Sequence, residues 1–408
     1  MSNDNQHIPS GYKPSPLGII PEDWEVKTIG ECTNLLTNGF VGVATPHYTE
    51  DPDGITYIQG FNVTEGGFNL TGIKKVTRAF HKKNSKSSLR EGDLLTIQTG
   101  DIGLTTIVTK ELEGSNCHAL IISRFKEMIL PQFMLYYYNS PIGRNRFRII
   151  ETGTTMKHIN TGDLVKFSIP APSLPEQQRI VSLLSLWDTA IAKQIALIEQ
   201  LTLRKRGLMQ QLLTGKKRLK GFEGEWKEVR LGEVAHITMG QSPDSKYYNE
   251  IGLGLPLIQG NADIQDRKSI QRIWTSSITK TCEDGDIIMS VRAPVGEIAR
   301  ATQKSCIGRG VCAIRNIDIE KDFLYQLLLF EEYSWKNIEQ GGTFTAINSN
   351  EIQKKTLVLP TTDEQTSIAS VLINADKEIE IQKQKLAAMQ EEKKGLMQVL
   401  LTGKKRIN

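Results

Sequence analysis

A group of lysines and arginines in the N-terminal half of the chain has the composition of a phosphate-binding strip. The group also contains the aromatic residue Phe80 and His81. Ammonium and guanidinium groups bind phosphate oxygens and so fix the register of a protein on a nucleic acid. A solvated loop face explains the same residues equally well, because charged side chains are ordinary surface residues. The basic residues are Lys74, Lys75, Arg78, Lys82, Lys83 and Lys86.

A second basic group lies in the C-terminal half and includes two arginines with unusual neighbours. Arg292 stands in Ser-Val-Arg-Ala-Pro, and Arg309 stands between two glycines, so the backbone can approach another surface closely there. Arginine makes bidentate hydrogen bonds to guanine, which predicts a contact to a base edge. A structural ion pair is the alternative for these residues. The other basic residues here are Arg267, Lys268 and Arg272.

A few polar residues beside glycines are further candidates for contacts. Gln98 and Thr99 follow a strand-like run and precede Gly100, which suits a contact to a base edge. Another four residues could contact a phosphate backbone through hydroxyl or ammonium groups, although threonines also satisfy turns. These four are Thr154, Lys157, Thr343 and Thr345.

The motifs that carry catalysis in many enzymes do not occur in the sequence. It has no G-x-x-x-x-G-K-[ST], G-x-G-x-x-G, H-E-x-x-H or G-x-S-x-G segment, and no Asn-Pro-Pro-Tyr or Asp-Pro-Pro-Tyr. The five cysteines form no C-x-x-C pair, so a zinc site or a redox motif is not predicted. We therefore predict no catalytic residue, no metal ligand and no cofactor bound by this chain.

Length and composition indicate a soluble protein of two or three domains. The chain has 408 residues, of which 39% are hydrophobic and 24% charged, with a net charge of +4. The first residues are polar and unlike a signal peptide, and no run of about 18 apolar residues predicts a membrane span. We expect a cytoplasmic protein with no membrane partner.

A long internal repeat organises the chain. Residues 205–218 read KRGLMQQLLTGKKR and residues 393–406 read KKGLMQVLLTGKKR, 188 positions later. Upstream, Ile58-Gln59-Gly60 matches Ile258-Gln259-Gly260 at a larger offset. The two halves therefore share a skeleton and differ in their loops.

The near-constant part of each repeat predicts a long helix. Its apolar residues recur at steps of four and three, which is the pattern of a coiled coil, and a length of about 38 residues corresponds to roughly 57 Å. The alternative is that each helix packs on its own globule. In the first copy the residues expected to pair are Ile180, Leu184, Trp187, Ile191, Ile198, Leu201, Leu208 and Leu212. In the second copy they are Ile368, Leu372, Ala375, Ile379, Leu386, Met389, Leu396 and Leu400.

The variable parts predict mixed α+β globules with many loops. Short β-like runs include residues 93–97 and 286–290, and helix-like stretches include residues 131–139 and 322–332. The predicted order is a first globule at 1–172, a helix at 173–217, a second globule at 218–360 and a helix at 361–408. The repeat implies an antiparallel helix pair and a cyclic pseudo-two-fold arrangement in which the chain ends lie close together.

This doubled order resembles the specificity subunit of type I restriction-modification enzymes. The motifs are Leu174-Pro175-Glu176-Gln177-Gln178 before the first helix, a looser copy at 362–366, and the Gly-Asp strands at 89–95 and 283–288. Gly153-Thr154-Thr155 and Gly341-Gly342-Thr343 also look like the Gly-Gly-Thr stretch of that family. The resemblance covers nearly the whole chain.

The resemblance implies that each globule is a target recognition domain that reads one half of a split DNA sequence. The helices would set the spacing and dock two modification (methyltransferase) subunits, and a restriction subunit would join them. S-adenosylmethionine, ATP and magnesium would be bound by those partners. A coiled-coil scaffold whose globules bind proteins is the alternative, and it predicts no salt-dependent affinity for DNA.

Overall fold

The computed structural model describes residues 8–153, 157–340 and 346–407, without the side chains of residues 336–340. The chain divides into two compact units. Unit 1 comprises residues 1–194 and 385–408, and unit 2 comprises residues 195–384. Unit 1 is therefore built from both ends of the chain, and unit 2 from one continuous segment.

Unit 1 is a mixed α/β globule with short strands. Its strands are β1 (Tyr12–Ser15), β2 (Gly18–Pro21), β3 (Glu25–Thr28), β4 (Thr33–Asn38), β5 (Ile55–Ile58), β6 (Val63–Thr64), β7 (Gly67–Phe68), β8 (Lys74–Val76), β9 (Leu94–Ile97), β10 (Thr105–Ile107), β11 (Asn116–Cys117), β12 (Leu120–Phe125) and β13 (Ser168–Ala171). Its shorter helices are α1 (Ile29–Cys32), α2 (Arg78–Lys83), α3 (Pro131–Asn139), α4 (Pro141–Ile149) and α5 (Thr161–Val165).

Two sheets form the centre of unit 1. One is antiparallel with the order β10-β9-β12-β4, and the other has the order β11-β5-β8 with β11 parallel to β5. All four residues of β9 are buried, as expected for an inner strand covered on both faces. Two core clusters flank these sheets, one containing Leu95 and Ile122, the other Phe133 and Tyr138.

Unit 2 repeats this plan with different loops. Its strands are β14 (Lys227–Arg230), β15 (Ala235–Met239), β16 (Tyr248–Asn249), β17 (Leu255–Ile258), β18 (Ile264–Gln265), β19 (Lys268–Ser269), β20 (Trp274–Thr275), β21 (Thr281–Cys282), β22 (Ile287–Ser290), β23 (Ile298–Arg300), β24 (Ser305–Ile307), β25 (Val311–Asn316) and β26 (Thr356–Leu359). One sheet has the order β15-β25-β22-β23-β19-β18 and the other β16-β20-β17-β24-β21.

The Gly-Asp motif before β9 and β22 closes the same turn in both units. Gly92 and Gly285 have φ angles of 86° and 77°, which glycine adopts without steric cost. The aspartate after each glycine accepts hydrogen bonds from the backbone and from an arginine on a neighbouring strand of the sheet, β12 in unit 1 and β25 in unit 2. Asp93 accepts from Arg124 at 2.7 Å, and Asp286 accepts from Arg315 at 2.6 Å. This hydrogen bond raises the pKa of Arg315.

The helices of unit 2 are α7 (Leu231–Val234), α8 (Lys321–Gln340) and α9 (Ser349–Gln353). Two longer helices of 39 residues each, α6 (Leu174–Leu212) and α10 (Thr362–Leu400), have one end in each unit. A glycine with positive φ stands three residues after the last residue of each helix, Gly215 at 67° and Gly403 at 71°. Since a left-handed residue cannot continue a helix, the repeated Thr-Gly pair lies where the chain turns away from both.

The two long helices run antiparallel. Within unit 1 the buried Ile180 and Leu184 of α6 share a core cluster with Met397 and Leu400 of α10. Within unit 2, Leu212 of α6 shares one with Ile368 and Leu372 of α10. The same clusters contain strand and helix residues of the globules, so these helix ends pack on a globule as well as on each other. The predicted fold class is confirmed.

All sixteen residues expected to pair the helices are buried or half-buried. The buried ones are Ile180, Leu184, Leu212, Ile368, Leu372, Ile379 and Leu400, and the half-buried ones are Trp187, Ile191, Ile198, Leu201, Leu208, Ala375, Leu386, Met389 and Leu396. One described helix, α6, has an 18-residue window with mean hydropathy 1.3, which meets the length and composition of a membrane span. Apolar residues at its pairing positions contribute to that value.

Candidate nucleic-acid interface

Four chain segments of unit 2 converge at one edge of its sheets. Strands β17 and β24 are parallel, so their carboxyl ends lie side by side and lead into Gln259 and Arg309. Strand β15 ends beside the start of β25, and β22 ends there too and leads into Arg292. These segments line a cleft of about 220 Å³. Its lining residues are Ser242, Gln259, Gly260, Asn261, Arg292, Ala293, Arg309 and Gly310.

Glycines permit the close approach of these segments. A Cβ atom on Gly310 would lie 2.0 Å from the carbonyl oxygen of Gln259, and one on Gly240 would lie 2.1 Å from that of Gly308. Both distances are far inside van der Waals contact, so a larger residue would force the segments apart. The glycines around Arg309 therefore place its side chain at the mouth of the cleft.

We call Ser242, Gln259, Asn261, Arg292 and Arg309 the unit 2 edge. Arg292 and Arg309 are both exposed. Within the described part of the chain, neither guanidinium has a carboxylate partner, and the amides of Gln259 and Asn261 have no side-chain hydrogen bond. These are the side chains that recognise guanine and adenine in the major groove.

The other arginines of this globule differ, because several are bound to carboxylates. Arg267 donates to Glu332 at 3.0 Å, and Arg272 lies 3.6 Å from Asp263. Arg300 and Arg315 are paired with Asp322 and Asp286. Of the predicted basic group, Arg267 and Arg272 therefore hold the globule's own loops, while Lys268 is exposed on β19 without a described partner.

A corresponding edge exists in unit 1, and we define it as Val41, Gln59, Phe61, Thr99 and Ala119. Strands β5 and β11 are parallel and end beside each other there, as β17 and β24 do. The predicted Thr99 is exposed and pairs with His158 in an isolated bridge, and Arg292 pairs with Ala346 in the same way. Gln98 is half-buried, and its carbonyl accepts from Ile159.

The predicted basic strip of unit 1 lies on β8, α2 and the turn that follows. Lys74, Lys82, Lys83 and Lys86 are exposed, and none has a described acidic partner. Lys75 donates to the carbonyl of Pro52 at 2.8 Å, and Arg78 lies 3.5 Å from Asp53. Four of the six residues thus have free ammonium groups as far as the structure describes the chain.

The threonine-rich segments are largely outside the described residues. Thr154, Thr343 and Thr345 all lie there. Lys157 is described and exposed, and its ammonium group lies 3.3 Å from the carboxylate of Glu151, which is half-buried.

The basic residues at the helix ends take part in ion pairs that repeat at the 188-residue offset. In unit 1, Lys393 lies 2.5 Å from Asp188, and in unit 2, Lys205 lies 2.6 Å from Asp376. Asp188 also accepts from the Tyr136 hydroxyl at 2.5 Å. Burial, and then this hydrogen bond, raises the pKa of Tyr136 to about 12. Among the described residues, no three His, Cys, Asp or Glu side chains are placed to hold a metal ion.

Sequence analysis identified Arg292, Arg309 and Thr99 but missed the partners that the fold brings to them. Ser242, Gln259, Asn261, Val41 and Phe61 lie in other segments, and only strand pairing places them together. The repeated Ile-Gln-Gly at 58–60 and 258–260 marked one of those segments, because it ends β5 and β17 alike.

Comparisons with known proteins agree with this architecture. The family model for the type I restriction modification DNA specificity domain matches residues 21–202 and again residues 223–391. The putative type I restriction enzyme MjaX specificity subunit of Methanocaldococcus jannaschii is 30% identical over 97% of both chains. A solved structure of a type I R-M system, described for its complex assembly and conformational transition, covers 94% of this chain and 99% of its own, with a TM-score of 0.66 and 27% identity. The S subunit of M. genitalium has the same fold, with a TM-score of 0.54 and 18% identity over 93% of this chain and 96% of its own.

The chain belongs to the type I restriction-modification DNA specificity family. It is a specificity subunit with two target recognition domains, one in each unit, and such subunits are non-catalytic. The relatives favour this function over a protein-binding scaffold.

Proposed function

We propose that this chain selects the DNA sequence on which a type I restriction-modification complex acts, and that the unit 2 edge and the unit 1 edge each contact one half of a bipartite target. The observation that carries the proposal is the pair Arg292 and Arg309. Both are exposed at one cleft, beside the free amides of Gln259 and Asn261. Four other arginines of the globule have carboxylate partners instead.

An exposed guanidinium that glycines place at a sheet edge can make two parallel hydrogen bonds to the O6 and N7 atoms of guanine. We therefore assign at least one guanine to the half of the target that unit 2 contacts. The exposed lysines of the basic strip in unit 1 would bind phosphates, which fixes register and adds salt dependence without adding sequence preference.

The partners follow from the same function. Helices α6 and α10 would set the spacing between the two half-sites and bind two modification subunits, and a restriction subunit would complete the assembly in the cytoplasm. Exposed apolar residues on the outer faces of these helices, such as Leu186 at 68%, Leu203 at 62% and Ile381 at 60%, suit such docking. S-adenosylmethionine, ATP and Mg²⁺ would bind to those partners.

The test is to co-express the chain with its modification subunit in a host without DNA methylation and to map modified bases across the genome. We expect two short defined blocks separated by a fixed unspecified gap. Exchange of residues 222–360 for those of another family member should change one block alone. Arg292→Ala and Arg309→Ala should relax that block, whereas Arg272→Ala, which removes a carboxylate-paired arginine, should preserve it. Continuous targets, or blocks that do not respond to the exchange, would contradict the proposal.

A further inference from the structure

The two edges have the same backbone framework. The amide of Gly39 donates to Leu120, and that of Gly240 donates to Val311. The amides of His118 and Gly308 donate in the same way to Ile58 and Ile258. Most of the corresponding positions can therefore be compared directly. Val41 corresponds to Ser242 and Thr99 to Arg292, and Phe61 lies in a one-turn helix, as Asn261 does. Ala119 alone stands where unit 2 has both Arg309 and Gly310, because one residue separates His118 from Leu120 and two separate Gly308 from Val311.

Several side chains on this shared framework differ in character. Ser242 and Asn261 of unit 2 are replaced by Val41 and Phe61 in unit 1, and a cationic side chain occurs only at the unit 2 edge, while Gln59 and Thr99 keep the unit 1 edge partly polar. Val41 is 65% exposed and Phe61 is 63% exposed. In unit 1, Gln59 donates to the Tyr48 hydroxyl at 3.0 Å, so its amide nitrogen is already engaged. The unit 1 edge thus presents the apolar side chains of Val41 and Phe61 where the unit 2 edge presents the hydrogen-bonding side chains of Ser242 and Asn261.

A basic helix is fixed beside the apolar edge. Phe80 of α2 is buried and packs edge-on against the ring of Phe40, the residue before Val41, at 4.9 Å. The same helix carries Lys82 and Lys83, which are exposed and have no described acidic partner. Exposed apolar side chains beside lysines without acidic partners suit a ligand that offers anionic groups to the lysines and an apolar group to Val41 and Phe61. The major groove of A·T-rich DNA has this character, because thymine projects a methyl group between the phosphate chains.

We propose that the unit 1 edge reads thymine through its 5-methyl group, with Phe61 and Val41 as the contacting residues. This inference depends on the proposed function of the chain. It makes the two halves of the target chemically unlike: guanine is selected by unit 2 through hydrogen bonds, and thymine is selected by unit 1 through apolar contact.

The test uses the complete complex of this chain with its modification subunits and a duplex carrying the mapped target. Each thymine of the unit 1 half is replaced by deoxyuridine, which removes the methyl group and keeps the base pair and its hydrogen-bonding groups. We expect binding to weaken about fourfold for each contacted methyl group. Complexes that carry Phe61→Ala or Val41→Ala should bind the thymine-containing duplex more weakly than the wild-type complex does. Replacement of the contacted thymine by deoxyuridine should then have little further effect on their binding.

Met128→Ala is the matched control. Met128 is 42% exposed and lies beyond the carboxyl end of β12, whereas the unit 1 edge is at the start of that strand. This variant should keep the full response to deoxyuridine. A unit 1 half-site without A·T pairs, or one in which wild-type binding ignores every deoxyuridine, would overturn the inference while a bipartite target still stands. Failure of the proposed function is distinguishable from this outcome, because the methylation map would then contain no bipartite target at all.

Discussion

Arg406 and Glu176 are 230 positions apart, yet the guanidinium donates to both carboxylate oxygens at 2.9 and 2.7 Å. Arg218 and Glu364 form the same bidentate pair in unit 2, at 2.6 and 2.7 Å. Each glutamate lies at the start of one long helix and each arginine follows the end of the other. The pairs therefore fasten the antiparallel helices at equivalent places.

Removal of the Arg406 side chain should destabilise unit 1. Glu176 is 2% exposed and would keep only the Trp24 indole as a described donor, at 3.0 Å. Because a buried carboxylate without its cation is costly, Arg406→Ala should lower the free energy of unfolding by about 2 kcal/mol. Hydrogen exchange resolved by peptide would measure this in unit 1. The double variant with Glu176→Gln should recover part of the loss, and Lys405→Ala should change little. Equal losses in all three would contradict the role of the pair.

The buried cysteines predict slow thiol chemistry in the folded protein. Burial raises the pKa of Cys282 to about 11 and that of Cys312 to about 12. Iodoacetamide attacks the thiolate, so labelling at pH 8 should be much slower than in the unfolded chain. Thiols of the unfolded chain ionise at about pH 8.5, whereas the buried thiols of Cys282 and Cys312 stay protonated there. The free energy of unfolding should therefore fall as the pH rises above that value. Mass spectrometry of labelled peptides tests the first point, and fast labelling of native Cys312 would contradict it.

Charge reversal on α2 should weaken DNA binding without changing the target sequence. If Lys82 and Lys83 contact phosphates, the variant carrying Lys82→Glu and Lys83→Glu should bind less tightly and lose about 0.9 from the salt slope for each lost contact. Lys110→Glu is the control, because Lys110 is exposed beyond the end of β10 that lies away from the unit 1 edge. Titrations at several salt concentrations measure both. An unchanged slope in the double variant would exclude α2 from the interface.

Gly310→Ala should disrupt the unit 2 edge, because its Cβ atom would overlap the Gln259 carbonyl. We expect a loss of about 1–3 kcal/mol in unit 2 stability together with relaxed recognition of one half-site. Gly207→Ala in α6 is a useful contrast. Nothing lies within 4 Å of a Cβ at Gly207, so the change should stabilise the helix by about 1 kcal/mol. Calorimetry of both variants gives the comparison. A neutral Gly310→Ala would mean that the cleft can widen at little cost.

The fold followed from sequence where periodicity is strong or a motif is repeated. The helix expected at 131–139 is α3 with the same limits, and the strands expected at 93–97 and 286–290 are β9 and β22, one residue shorter. The helix expected at 322–332 continues to Gln340. Helix α4 and the two-residue strands were not predicted. A strand of two residues is too short to carry a period and is held by tertiary contacts.

The candidate site was harder to predict because its members depend on parallel pairing of distant strands. Arg292 and Arg309 stood out through their glycine and proline neighbours, but Arg267, selected because it belongs to the same basic group, binds Glu332. Sequence does not reveal whether an arginine has a carboxylate partner when that partner is 65 positions away. Val41 and Phe61 look like core residues in sequence, and only their exposure identifies them.

Unit 1 is built from two separate segments of the chain, and this affects how it folds during translation. Unit 2 is one uninterrupted segment and can close its core as soon as that segment emerges. The core of unit 1 includes Met397, Leu400 and Leu401, which pack with Ile20, Trp24 and Ile180. Nascent unit 1 therefore keeps part of its apolar core exposed until the last turns of α10 have been synthesised. The unit whose synthesis begins first is thus the last to complete its fold.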